Sequence, residues 1–208
     1  MLKTLAKLAS AAALAAVAVS VPAQASDRGE LLRDANRTVS HLRSDPAFGT
    51  ARNMLQGAEA VYIVPKLVKG GFIFGAEGGD GVLLKRTGHG WSEPRFYGMG
   101  SASFGLQAGL EQAELVFIIN SHRALAGIEK GEVKIGGQGG ITVATLSAGA
   151  EGATTLHGGD MVVWTSATGA YGGLAFNGTV IKQDKDENAT PATGPEAQAL
   201  RHNLAGIW

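Results

Sequence analysis

The chain has 208 residues, 18 of them basic and 18 acidic, and no cysteine. Balanced charge gives no bulk attraction for nucleic acid, and the lack of cysteine excludes disulfides, thiolate metal sites, a thiol nucleophile and a lipid-bearing cysteine at a lipoprotein cleavage point. Glycine makes up 31 of the 208 residues, about twice average usage, and is scattered through apolar runs, which points to crowded β-structure rather than disorder.

The first 25 residues read as a secretory leader: Lys3 and Lys7 in a basic start, an alanine-rich apolar run from Leu8 to Val21, and Ala23-Gln24-Ala25 as a small-residue cleavage site. The apolar run is short for a membrane span. The expected mature chain starts near Ser26, holds about 183 residues, enough for one domain with a real core, and carries a charge of about −2 once Lys3 and Lys7 are removed. Its expected location is the bacterial periplasm or envelope.

Asp27 to Arg43 predicts an amphipathic helix, with Leu32, Ala35, Val39 and Leu42 on one face. Arg33 and Arg37 share another face, which suits either a membrane-surface helix or a solvated helix capping the core. Asp27, Glu30 and Asp34 dilute the positive charge and favour the second. A second helix is expected from Pro46 to Gln56, with Asp45 as N-cap, Pro46 in the first turn and Gly57 as C-cap. These segments form the expected N-terminal helical unit, residues 26–57. A β-rich unit is expected over 58–183, and a linker and C-terminal tail over 184–208.

Glu59 to Val64 reads as the first strand, ended by Pro65. The stretch Pro65 to Arg86 then predicts a hairpin, with G-F-I-F-G and G-V-L-L-K as strands and Glu77-Gly78-Gly79-Asp80 as the turn. A turn there would bring Lys66, Lys69, Lys85 and Arg86 side by side. Four such cations suit a lipid phosphate, at about 1 kcal/mol each near an anionic surface. Equally, they suit lysines that keep sheet edges soluble; the residues alone leave the two readings even.

Trp91 to Met99 carries aromatics around a bend at Pro94, and Ser101 to Gly109 is small and strand-like. Glu111 to Asn120 contains the most apolar run, Leu115-Val116-Phe117-Ile118-Ile119, which predicts a central strand covered on both faces. Ser121 can cap a short helix to Lys130, ended by Gly131, with Leu125 and Ile128 inward. Glu132 to Ile135 is a strand. Gly136 to Gly159 has little pattern. Met161 to Trp164, Tyr171 to Phe176 and Thr179 to Gln183 read as closing strands. Asp184 to Pro195 reads as a loose linker, and Glu196 to Leu204 as a last helix.

No P-loop, dinucleotide fingerprint or nucleophile elbow is present. The histidines at 41, 89, 122, 157 and 202 have no metal-ligand spacing. Asp184-Lys185-Asp186-Glu187-Asn188 starts like a calcium loop but has Ala189 at the sixth place and Pro195 at the twelfth. No catalytic residue, metal or cofactor is therefore assigned.

The ordered blocks K-G-G-F-I-F-G-A-E-G-G-D-G-V-L-L (Lys69–Leu84), W-S-E-P (Trp91–Pro94), S-F-G-L-Q-A-G (Ser103–Gly109), E-L-V-F-I-I-N (Glu114–Asn120) and Y-G-G-L-A-F-N-G (Tyr171–Gly178) resemble the SYLF domain, also called the Ysc84 or DUF500 family. The resemblance covers roughly Ala58 to Ile181. It implies non-catalytic lipid binding, and for a secreted bacterial member an anionic phospholipid of the envelope. Some relatives also bind actin, which is not expected in that compartment. The resemblance makes Lys66, Lys69, Lys85 and Arg86 the expected head-group contacts. Two departures stand out: Thr165-Ser166-Ala167-Thr168 replaces a cation-bearing run seen in many members, and Asn177 stands where an acidic residue is usual. The fold expected is α+β, mainly antiparallel, with a glycine-rich twisted or barrel-like sheet and N-terminal helices. The rival readings are a small outer-membrane barrel, for which an aromatic content of 6% is too low to build two girdles, and a Ser/His hydrolase.

Overall fold

A computed structural model describes residues 28–71, 74–104, 109–136, 140–146, 159–166 and 178–207. The expected leader, Phe72, the strand expected at Tyr171–Phe176 and most of the weakly patterned stretch after Gly136 lie outside these residues.

Two helices come first, α1 (Arg28–Ser44) and α2 (Phe48–Gly57). The buried side of α1 is Leu32, Ala35, Thr38, Val39 and Leu42, the face set by the sequence spacing. Its arginines are held: Arg33 pairs with Glu196 at 3.1 Å, Arg37 with Asp34 at 2.8 Å, and Arg43 donates to Asn203 Oδ1 at 2.7 Å. This helix caps the core. Helix α2 begins two residues later than expected, because Asp45 accepts from the Ala47 amide at 2.7 Å and so shapes the turn before the helix instead of capping it.

The strands are β1 (Ala60–Gly71), β2 (Phe74–Thr87), β3 (Gly90–Trp91), β4 (Arg95–Phe104), β5 (Gly109–Ile119), β6 (Glu132–Lys134), β7 (Val143–Leu146), β8 (Met161–Thr165) and β9 (Val180–Gln183). Helix α3 (His122–Glu129) follows β5, and α4 (Pro195–Ala205) follows β9. The sheet order is β6-β9-β4-β2-β1-β5-β8-β7, with β3 paired to β2. Among the described residues the strand pairings are antiparallel except β7 with β8. The sheet curls into a half-barrel whose edges touch at one bridge, Ile135 to Ile141, where the Gly136 amide donates to the Ile141 carbonyl at 3.1 Å. The class is the expected one: α+β, mainly antiparallel, barrel-like, with N-terminal helices.

Alternation along the strands divides the core between the two faces. One face packs Val61, Ile63, Val82, Leu84, Val116, Ile118, Val162 and Trp164 against α1, α2 and α4. The other gathers Tyr62, Leu67, Leu83, Tyr97, Phe117, Ile119 and Val163 with α3 and with residues from both sheet edges, among them Val133 and Ile141. Because both edges contribute to it, the second face is the concave one. Its centre is aromatic: Tyr62 stacks on Phe117 at 5.9 Å, meets Tyr97 edge-on at 6.3 Å, and donates its hydroxyl to the Tyr97 carbonyl at 3.1 Å. Strand β5 is central and buried from Leu115 to Ile119, as its unbroken apolar run requires. The apolar outer face that a membrane barrel would turn toward lipid is here clad in helices.

Three expectations need correction. First, Pro65 does not end β1. The strand continues to Gly71 across a register shift between Ile63 and Val68, and a residue without an amide proton is accommodated at such an irregularity. Second, Glu77-Gly78-Gly79-Asp80 is not the hairpin turn. It lies inside β2, and the pairing runs on to Gly71 with Gly75, so the chain reverses between those two. The glycines serve close approach instead. A Cβ at Gly79 would come 2.4 Å from the Lys66 carbonyl oxygen, and one at Gly81 2.7 Å from the Tyr62 ring. Third, Asp184 to Pro195 is anchored rather than loose. Asn188 accepts from the Phe96 amide at 2.9 Å and donates to the Phe96 carbonyl at 2.7 Å, taking the place of a strand neighbour beside β4.

Candidate functional site

The true hairpin turn separates the four expected head-group cations. Lys85 pairs with Ala60, whereas Lys66 lies six residues further along β1, about 20 Å away at strand rise. Lys69 pairs with Glu77 on one side and Glu111 on the other, at the far end of the same strand. Lys66 and Lys69 therefore belong to one half of the hairpin, and Lys85 and Arg86 to the other.

Lys85 and Arg86 are engaged. Lys85 Nζ meets Glu129 Oε1 at 2.6 Å. The Arg86 guanidinium lies 4.0 Å over the Trp91 ring and donates to the Leu55 carbonyl in the last turn of α2, which also accepts from the Ala58 amide at 3.4 Å. Burial lowers the Arg86 pKa from its usual value, and at a C-terminal helix end the cation still meets favourable dipole charge. Both residues line an open cleft of about 550 Å³ together with Glu59, Thr87, Leu125, Glu129 and the α2 end at Gln56 and Gly57. Glu59 reaches His122 Nδ1 at 3.3 Å. Two cations face two carboxylates, so the cleft has no net pull on a simple anion.

Lys66 differs. It is exposed and, among the described residues, its side chain has no hydrogen bond or ion pair. It borders a shallow hollow of about 130 Å³ with Pro65, Gln112, Ala113, Glu114 and Ser166. Glu114 is spoken for by α1: Thr38 Oγ1 donates to it at 2.7 Å and His41 Nδ1 lies 2.9 Å from both carboxylate oxygens. The strand positions around Lys66 (Ala76, Asp80 and Gln112) are exposed too, so this is where the sheet leaves its helical cover. In the run expected to lack cations, the Ser166 amide donates to the Glu114 carbonyl at 3.1 Å and Ser166 Oγ accepts from the Glu114 amide at 3.1 Å.

Two polar clusters escaped the sequence reading. Glu77 is buried and accepts from Ser101 Oγ at 2.5 Å, across the β2–β4 ladder. Asp160, just before β8, accepts from Ser121 Oγ at 2.6 Å, Arg123 Nη2 at 2.5 Å, the Thr142 amide at 2.9 Å and Thr142 Oγ1 at 2.8 Å. Burial pushes its pKa up, but the bonds from Arg123, Ser121 and Thr142 outweigh it and hold the carboxyl well below the usual carboxylate range. Asp160 thereby ties the start of α3 to the β7–β8 edge. Its partners are 18 to 39 residues away, so no local motif marked it. Among the described residues no group of histidines and carboxylates could hold a metal ion, and no helix is long and apolar enough to cross a membrane.

The family model named Ysc84 and described as Las17-binding protein actin regulator matches residues 100–191, from the end of β4 to the segment before α4. Over that stretch the chain is similar to the Ysc84 family. It is 26% identical over 179 residues to LAS seventeen-binding protein 3 of Saccharomyces cerevisiae, covering 82% of this chain and 39% of that protein. It is likewise 26% identical over 172 residues to the SH3 domain-containing YSC84-like protein 1 of Rattus norvegicus (81% and 50%), and 30% identical over 128 residues to that of Xenopus laevis (60% and 38%). The chain thus spans half or less of the length of these relatives. No solved structure matches. The family description and the name of the yeast relative are those of Las17-binding proteins. The hairpin with the four cations precedes the stretch matched by the family model.

Proposed function

We propose that this chain binds an anionic phospholipid surface of the bacterial envelope, without catalysis, through the half of the β1–β2 hairpin that carries Lys66 and Lys69. The observation that supports this most is the contrast among the four cations. Lys85 and Arg86 are neutralised by Glu129 or committed to Trp91 and the end of α2, while Lys66 is exposed on uncovered sheet. A cation already paired adds little to attraction for a charged surface; an exposed one contributes about 1 kcal/mol. The leader expected at the start of the sequence supports the envelope location.

Sedimentation of the protein with vesicles tests the reading. Phosphatidylglycerol vesicles retain it at low salt and release it at high salt, whereas pure phosphatidylcholine vesicles do not retain it. Equal retention by the two would sink the proposal. The relatives' names favour a second reading, a protein-binding module; a partner captured equally well by the wild-type chain and by Lys66→Glu would support that one instead.

A further inference from the structure

The cleft between the end of α2 and α3 is set up for a different ligand from the Lys66 surface. It holds two cations and two carboxylates within one open volume of about 550 Å³, a size typical of small-ligand sites. Leu125 and Ala58 supply apolar surface, and Gln56 and Gly57 bring the carbonyl end of a helix. In the structure Lys85 pairs with Glu129 at 2.6 Å, Arg86 is held over the Trp91 ring, and Glu59 lies 3.3 Å from His122 Nδ1. Lys85 and Glu129 are each close to half exposed (45% and 41%), so the pair can open without unburying a core.

The charge balance selects the ligand. A simple anion that captured Lys85 would strip Glu129 of its partner, and a simple cation that captured Glu129 would do the same to Lys85. A small molecule with both charges replaces the internal pair by two new pairs and leaves neither end uncompensated. Its acidic end meets Lys85, with Arg86 beside it in the cleft. Its ammonium, with N–H donors, meets Glu129 or Glu59. We propose that this cleft is a binding site for a small ammonium–phosphate zwitterion, of which ethanolamine phosphate is the simplest, free or as a lipid head group. The site is independent of the anionic-surface reading, because Lys66 lies on the other half of the hairpin.

The test is a titration of the full chain, followed by amide shifts at Glu59, Lys85 and Glu129, with three probes: ethanolamine phosphate, inorganic phosphate and ethanolamine. Ethanolamine phosphate is expected to bind at least about tenfold more tightly than either fragment. Glu129→Gln, a substitution at an exposed side chain, reverses the preference: it weakens ethanolamine phosphate and strengthens inorganic phosphate, since Lys85 is released and the ammonium has lost its partner. Inorganic phosphate binding the wild type as tightly as ethanolamine phosphate would overturn the proposal, as would an unchanged preference in Glu129→Gln or no shifts with any probe. Vesicles of phosphatidylethanolamine against phosphatidylcholine, whose ammonium has no N–H, distinguish the sources: a preference for the former points to a lipid head group, and none, with the free zwitterion still bound, to a soluble ligand. Lys66→Glu should leave the titration untouched while lowering retention on anionic vesicles, so either reading can fail alone.

Discussion

The two halves of the β1–β2 hairpin are built from the same strands on different terms. From Ala60 to Val64 and Gly81 to Leu84 every residue is buried, with α1, α2 and α4 over the outer positions and the aromatic trio beneath. Beyond Val64 the strand shifts register, glycines replace large side chains, and Lys66, Ala76 and Asp80 stand exposed. Covering a sheet on both faces supplies stability, and charges in the covered half are paired. Exposure at Lys66, Ala76 and Asp80 keeps a cation available to a surface. On the proposed reading one half serves stability and the other surface binding, and substitutions can test each role.

The largest expected effect comes from the seam between the halves. Gly79→Ala would press a methyl group to 2.4 Å of the Lys66 carbonyl and 2.9 Å of Val64 Cγ1, so backbone must move. We expect a loss of about 3 kcal/mol in urea unfolding. At Gly100, where a Cβ would meet nothing nearer than 3.7 Å, the same change should cost less than about 1 kcal/mol. Equal losses at the two positions would show that the close approach at the seam does not hold the shape of the hairpin.

Next comes Asp160, far from the hairpin, at the barrel's closing edge. Its carboxyl is held below its ordinary pKa, so the stability it provides is fully present above the unfolded value of about 4 and is lost as pH falls toward the folded value. Melting curves should therefore show the wild type losing stability below about pH 4, and Asp160→Asn, already less stable at neutral pH, losing less over that interval. Parallel acid profiles for the two proteins would remove Asp160 from the account.

A smaller effect is expected at Asn188. Replacing it with alanine leaves the Phe96 amide and carbonyl without their side-chain partners and should lower stability by about 1–2 kcal/mol. A neutral result would return the Asp184–Pro195 segment to the loose linker its composition suggests.

Much of this was legible in the sequence where one physical rule acts alone. The apolar spacing of α1, the serine cap and Gly131 stop of α3, whose Ser121 accepts from the Ala124 amide at 3.1 Å, and the unbroken run of β5 all appear as read. The hairpin turn was not legible, because Glu-Gly-Gly-Asp has turn chemistry while its glycines answer to a tertiary demand, the Lys66 backbone and the Tyr62 ring beneath them. Polar composition likewise hid the anchoring of Asn188, and small residues hid β7, whose parallel partner β8 comes later in the chain. The four cations were legible as residues but not their division into two pairs, since that division depends on where the chain turns.

On the proposed reading Lys66 acts for a surface and not for the fold. Sedimentation on phosphatidylglycerol vesicles at low salt, comparing the wild type with Lys66→Glu and Lys85→Glu, tests this most directly. With all three chains unfolding within about 0.5 kcal/mol of one another, Lys66→Glu should lose about tenfold or more in retention, and Lys85→Glu far less, because Lys85 is already paired with Glu129. Equal losses from the two substitutions, or none from Lys66→Glu, would contradict the division of labour between the two halves of the hairpin.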